Sequence, residues 1–254
     1  MSEQQVFNIL VILSCSLAAG IFISLFFFSA PYGRHTRKGW GLTVPNWLGW
    51  LLMESPSPLM MIALYLIGGA PKTTISLIFL LMWLAHYAHR AFIYPFETRS
   101  KNKRMPVVVM LSGMIFNLGN AYLNGRYLFH FSAGKYSLSW LLDARFIAGT
   151  ALFIGGYIIN RWADRKLRSL RKPGETGYRI PRGGVYRYIS CPNYFGEMLE
   201  WFGWALATWS LTGLTFAVWT FANLAPRARA HHAWYHSHFA EYPAERKALI
   251  PRIW

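Results

Sequence analysis

Residues 47–69 read WLGWLLMESPSPLMMIALYLIGG. The run is long enough to cross a bilayer, since about 20 mostly apolar residues span the hydrocarbon core. Yet it holds Glu54, Pro56 and Pro58. A charged side chain near the bilayer centre costs about 2.5–3.5 kcal/mol on insertion scales. Glu54 lies too far into the run to reach the surface as a helix-end residue does. Each proline lacks an N–H donor and disfavours helical geometry in the serine before it, Ser55 or Ser57. A broken helix at membrane depth is tolerated where it lines a cavity or packs inside protein. Glu54 therefore reads in one of two ways. It is a carboxylate paired with a neighbour for packing, or a functional acid beside a cavity, which is the default for such a group. Apolar burial favours the neutral acid, which can donate a hydrogen bond.

The composition agrees with a membrane setting. Of the 254 residues, 54% are hydrophobic and 14% charged, against about 25% charged in soluble domains. The net charge of +16 would suit nucleic acid. Here, however, the basic residues lie in short segments between apolar runs. Anionic headgroups or an anionic cofactor fit that pattern better, and no nucleic-acid partner is expected. Cys15 in an apolar run and Cys191 in a basic loop read as unpaired. No Lys or Arg precedes Arg34, whereas a secretory leader needs a basic start, so the first apolar run reads as a permanent helix.

Seven stretches qualify as spans: 6–29, 47–69, 73–95, 105–124, 144–163, 195–210 and 212–226. The last two are separated by LTG and read as one hairpin or one broken helix. Alternate connections are rich in Lys and Arg: 30–46 (Arg34, Arg37, Lys38), 96–104 (Arg99, Lys101, Lys103, Arg104), 161–193 and the tail after 226. The positive-inside rule then puts the N-terminus outside and the C-terminus in the cytosol. The expectation is an all-α integral membrane protein, one domain over 1–254, with seven helices enclosing a cavity.

The third stretch carries His86, Tyr87, His89, Arg90 and Tyr94. Tyr87 and Tyr94 are seven apart and would share a helical face. A phenol beside a neutral carboxylic acid makes a proton-donating pair suited to polarising a carbonyl. Alone, Tyr87 also fits an interfacial tyrosine. In the fourth stretch Asn117, Asn120 and Asn124 form a polar stripe, read as helix packing.

The segment NRWADRKLRSLRKPGETGYRIPRGGVYRYISCPNYFGEMLEW, 160–201, is the richest in polar groups. Its arginines alone would fit headgroup contact. Asn160, Asp164, Tyr178, Asn193, Glu197 and Glu200 ask for more. Amides and acids suit ribose hydroxyls and a carboxamide, and arginines suit phosphates, so the set describes a nucleotide. No GxGxxG run is present, so no Rossmann unit is expected. In the tail, Arg227, His231 and Tyr235 recur every four residues.

The stretches KPGETGYRIPRGGVYRYISCPNYFGEMLEW, LATWS and YPAERKALIP resemble the steroid 5α-reductases (3-oxo-5α-steroid 4-dehydrogenases), most nearly the type 2 members. PYGRHT, ESPS and HYAHRAFIY extend the likeness toward the N-terminus. The resemblance implies an oxidoreductase that reduces the Δ4 double bond of 3-oxo steroids with NADPH inside seven membrane helices. By that likeness Glu54 and Tyr87 bind the 3-ketone, and Trp50 and Phe116 lie on the substrate side. Tyr32, Arg90, Tyr94, Asn160, Asp164, Arg171, Tyr178, Arg179, Asn193, Glu197, Arg227, His231 and Tyr235 fall at cofactor positions. It further implies a substrate side mainly in 1–130 and an NADPH half in 144–254. The chain departs from the pattern where an Arg falls on Ser112 and a Cys on Asn117.

Three other classes compete. A membrane di-iron enzyme needs histidine clusters on several segments, and only HYAH and HHAWYHSH qualify. An S-adenosylmethionine-dependent methyltransferase of the isoprenylcysteine type shares the C-terminal style, but has no carbonyl for Glu54 and Tyr87 to polarise. A non-catalytic lipid binder does not need the polar 160–201 segment. The expected partners are a lipophilic enone such as a steroid and membrane lipid. The chain is expected to act as a monomer, in a bacterial inner membrane or the endoplasmic reticulum.

Overall fold

Helices occupy each of the seven expected stretches in a computed structural model that describes residues 1–27, 39–97, 103–171, 175 and 177–254. Tyr32, Arg34, Arg37, Lys38, Arg99, Lys101 and Lys172 lie outside the described residues. The first stretch is α1 (Glu3–Phe27). The second is two helices, α2 (Asn46–Glu54) and α3 (Pro56–Ile67), interrupted at Ser55. Against expectation, Ser55 keeps right-handed helical angles (φ −62°, ψ −29°) and Ser57 lies inside α3, because the first turn of a helix tolerates proline. Pro56 opens α3, where a missing N–H costs nothing. The third is α4 (Thr74–Phe92), whose first turn is capped by the Thr73 hydroxyl accepting from the Ser76 N–H at 3.2 Å, followed by the single turn α5 (Tyr94–Glu97). The fourth is α6 (Val107–Arg126), extended by a π-turn over Tyr127–Phe131. Then come α7 (Ala144–Ser169), α8 (Pro192–Thr208) and α9 (Leu211–His238).

Among the described residues, four helical stretches are long and apolar enough to cross a membrane: Glu3–Phe27, Asn46–Ile67, Thr74–Glu97 and Val107–Phe131. Helices α7 to α9 fall outside that set. Helix α8 has 17 residues, and α7 and α9 run on into the polar turns RWADRKLRS and RARAHHAWYHSH. The last two stretches form a hairpin rather than one broken helix. Its turn is not at LTG. Trp209 takes a left-handed conformation (φ 43°), and Ser210 caps α9 by accepting from the Gly213 N–H at 3.0 Å.

Beside the helices lies one short strand pair. β1 (Thr43–Pro45) and β2 (Arg104–Pro106) pair antiparallel, Thr43 opposite Pro106. Arg104 secures the pair, its guanidinium donating to Thr43 Oγ1 at 2.7 Å and Thr43 O at 2.6 Å. A proline ends each strand and cannot extend the ladder.

The described residues fall into two compact units. The first takes Met1–Leu10 and Ala30–Phe146. In it α2 and α3 pack on α4 and α6. Its core includes Met61, Ile75, Phe79, Trp83 and Ala121, all fully buried. The second takes Val11–Ser29 and Ile147–Trp254. There α1 lies along α9, with Trp219 Nε1 donating to Ser14 Oγ at 2.8 Å and Phe22 stacked on Phe221. Helices α7 and α8 cross backbone to backbone at Gly156 and Gly196. A Cβ on the first would meet the Glu200 backbone, and on the second the Asn160 backbone. Small residues permit that approach where helices meet in a membrane.

Candidate active site

In the first unit the broken helix brings a polar chain together. Glu54 ends α2 and is buried, Tyr87 lies on α4 and is buried, and both reach Asn117 on α6. Tyr87 Oη donates to Asn117 Oδ1 at 3.1 Å. Asn117 Nδ2 donates to Glu54 Oε2 at 3.1 Å and to the Met53 carbonyl at 2.9 Å. Arg90, one turn after Tyr87, brings its Nε to 3.4 Å from Glu54 Oε1. The guanidinium also covers the rings of Trp50 at 4.6 Å and Tyr94 at 4.9 Å. Tyr87 is stacked on Trp83 at 5.2 Å between centroids. Phe116 precedes Asn117 on α6 and is half-buried.

Tyr94 opens α5 directly after α4 and is joined to the cluster through Arg90 and Trp50. The Asn117 and Arg90 partners of Glu54 are both donors, so Glu54 accepts from them and Tyr87 is the donor of the pair. Asn117 joins three helices through its amide, as the helix-packing reading of the stripe expects. Within α6, Asn124 Nδ2 donates to Asn120 O and Oδ1 at 3.1 Å.

In the second unit the α7–α8 crossing gathers amides and acids. Asn160 Nδ2 donates to the Asn193 carbonyl at 3.0 Å and Glu197 Oε2 at 3.3 Å. Asn193 Nδ2 donates to Asp164 Oδ1 at 3.1 Å. The four-residue spacings on α7 (Asn160, Asp164) and α8 (Asn193, Glu197) put these groups on facing surfaces. His231 on α9 meets the Tyr194 hydroxyl at 3.1 Å, and Arg227 lies over the Tyr194 ring at 5.5 Å. Arg171 covers Tyr178 at 5.7 Å, and Tyr178 meets Trp234 edge-on at 4.9 Å. Tyr235 is buried and stacked on Tyr242. Arg179 is exposed and pairs with Glu175 at 3.0 Å, apart from the amide cluster. Tyr194, Trp234 and Tyr242 were missed as contact residues. An aromatic beside each polar group is too common in a chain that is 17% aromatic to stand out.

Each unit thus carries one cluster of polar side chains between its helices. The family model of 3-oxo-5-alpha-steroid 4-dehydrogenase matches residues 103–254. The 3-oxo-5-alpha-steroid 4-dehydrogenase 1 of Bos taurus is 42% identical, covering 99% of this chain and 98% of its own. The human protein of the same name is 41% identical over 98% of this chain and 96% of its own. The steroid 5-alpha-reductase DET2 of Gossypium hirsutum is 41% identical over 100% and 99%. This chain belongs to the 3-oxo-5α-steroid 4-dehydrogenase family and is an oxidoreductase. The family works with a nicotinamide cofactor. The methyltransferase reading is not favoured.

Proposed function

We propose that the chain uses NADPH to reduce the Δ4 double bond of a 3-oxo-Δ4 steroid, giving the 5α-dihydro product, as from testosterone to 5α-dihydrotestosterone. The observation that carries this reading is the buried Glu54–Asn117–Tyr87 chain with Arg90 at its end.

Reduction of an enone adds hydride at the β-carbon, C5, and a proton at the α-carbon, C4. The C=C becomes C–C, the ketone is retained, and negative charge passes through the carbonyl oxygen as an enolate. Glu54 and Tyr87 polarise that oxygen, Tyr87 supplying the hydrogen bond and Glu54 with Arg90 holding the chain in place. Donors fixed in a site of low dielectric stabilise such charge without reorganising. Trp50 and Phe116 supply apolar surface on the substrate side.

The donor set of the second unit fits NADPH. Asn160, Asp164, Asn193 and Glu197 offer the mixed donors and acceptors that a carboxamide and ribose hydroxyls need. Arg171, Arg179 and Arg227 suit the phosphates, the 2′-phosphate among them. Tyr178, His231 and Tyr235 complete that side, with Tyr32, Arg90 and Tyr94 at further cofactor positions. When bound, NADPH supplies the hydride. In this reading the chain is one catalytic domain, a monomer crossing the membrane seven times with its N-terminus outside. The host membrane is a bacterial inner membrane or the endoplasmic reticulum.

The test is NADPH oxidation by the purified protein with testosterone, the product identified by mass spectrometry and NMR. The 5α-dihydro steroid is expected. Absence of NADPH binding would overturn the proposal.

A further inference from the structure

We propose that Asn117 is a positioning residue, tying Glu54 to Tyr87 and fixing the direction of the phenolic hydrogen. This rests on the reading of Glu54 and Tyr87 as the ketone-binding pair.

Asn117 is 4% exposed and makes three hydrogen bonds, to residues of two other helices. A neutral carboxamide has two N–H donors and a carbonyl acceptor held in one plane. Here the nitrogen serves the Met53 carbonyl and Glu54 Oε2, and the oxygen serves Tyr87. Flipping the amide would set its oxygen against two acceptors, so the hydrogen-bond network fixes its orientation.

Each bond has a consequence. The Met53 carbonyl lies in the last turn before the helix break, so its bond anchors the amide to rigid backbone beside Glu54. The bond to Oε2, with Arg90 near Oε1, holds the carboxyl from both sides. The bond from Tyr87 stops the hydroxyl rotor with its hydrogen toward Asn117. A ketone oxygen that reaches the phenol takes the place of Asn117 Oδ1 as acceptor. The hydroxyl is thus held on the amide until substrate arrives and then turns to the ketone, while Asn117 Nδ2 keeps Glu54 beside it.

A double-mutant cycle on the full-length protein tests this. Wild type, Asn117→Leu, Tyr87→Phe and the double variant are compared for kcat and KM with testosterone and for NADPH dissociation constant. Asn117→Leu removes all three bonds at similar volume. It is expected to lower kcat about 10–100-fold, the scale of a lost hydrogen bond in a charged network, with unchanged NADPH affinity. In the Tyr87→Phe background the same change should cost less than about threefold, because groups acting through one another are not additive. A normal kcat for Asn117→Leu, or losses that multiply, overturns the inference and leaves the parent reading standing. A normal kcat for Tyr87→Phe removes the parent reading and this inference with it. If Asn117→Leu loses NADPH binding through misfolding, Asn117→Ser, with one short hydroxyl, replaces it in the same cycle under the same criteria.

Discussion

Tyr87 shows how much one hydroxyl decides. Its ring is held by Trp83 at 5.2 Å and His86 at 4.9 Å, so removing the oxygen leaves the packing in place. Tyr87→Phe is expected to lower kcat about 10²–10⁴-fold, the range for loss of a positioned proton donor. NADPH affinity should not change, because the groups proposed for the cofactor's carboxamide and ribose lie on α7 and α8. Steady-state rates and a fluorescence titration of NADPH check both halves. A normal rate would show that Tyr87 only packs. Spacing made Tyr87 a candidate, but its partner was hidden, because Met53, Glu54, Tyr87 and Asn117 come from three helices far apart in sequence.

At the scale of elements, two contacts control the second unit. The first is the α7–α8 crossing. Gly156→Val would push a branched side chain into the Glu200 backbone, which cannot move as a flexible side chain does. Overpacking of this kind costs about 1–3 kcal/mol or more. The variant should melt lower and bind NADPH more weakly, because Asn160 and Asn193 depend on the same crossing; a thermal melt with and without NADPH measures both. The second contact ties the C-terminal segment to α9. Ser190 N donates to the Lys247 carbonyl at 2.8 Å, and Ser190 Oγ meets His232 Nδ1 at 2.6 Å and Tyr242 Oη at 2.7 Å. His232 lies beyond the expected span that ends at 226. Burial holds its imidazole below the usual 6.5, helped by the nearby His236 and Lys247. A neutral ring accepts from Ser190, which can then accept from Tyr242; a protonated ring cannot accept. With the folded value below the unfolded one, this contribution is full above about pH 6.5 and is lost as pH falls. The melting temperature should therefore drop on acidification, and His232→Gln should flatten that slope. Equal slopes in the two proteins would remove His232 from the account.

For the whole molecule, the distribution of Lys and Arg makes a claim about sidedness. Single cysteines at Ser2 and Ser137 should react with a membrane-impermeant maleimide from outside in sealed vesicles or cells. Cysteines at Arg182 and Glu241 should react only after permeabilisation, in a background with Cys15 and Cys191 replaced by Ser. Labelling of Arg182→Cys from outside would invert the topology, and labelling of Ser2 and Ser137 on opposite sides would change the number of crossings. The test matters because four of the seven stretches are apolar enough on their own. For α7 and α9 the charged turns in the same helices obscure the signal, and α8, at 17 residues, is short for a span.

The sequence by itself determined the helical class, the positions of the seven stretches, a break near the two prolines and the family. These rest on local rules: apolar length, the missing N–H of proline, and contiguous motifs such as SCPNYFGEMLEW. It also singled out Glu54 and Tyr87, because a carboxylate and a phenol in apolar runs are anomalies that need no partner to be noticed. Only the tertiary structure decided what those groups touch. Asn117, read in one dimension as helix packing, links them because α6 packs beside α2 and α4. Tyr94 joined the same cluster through the Arg90 guanidinium. A three-residue ribbon formed because Thr43 and Pro106 meet across 63 positions. Hydrogen bonds between helices depend on crossing geometry, which side-chain periodicity within one helix does not encode.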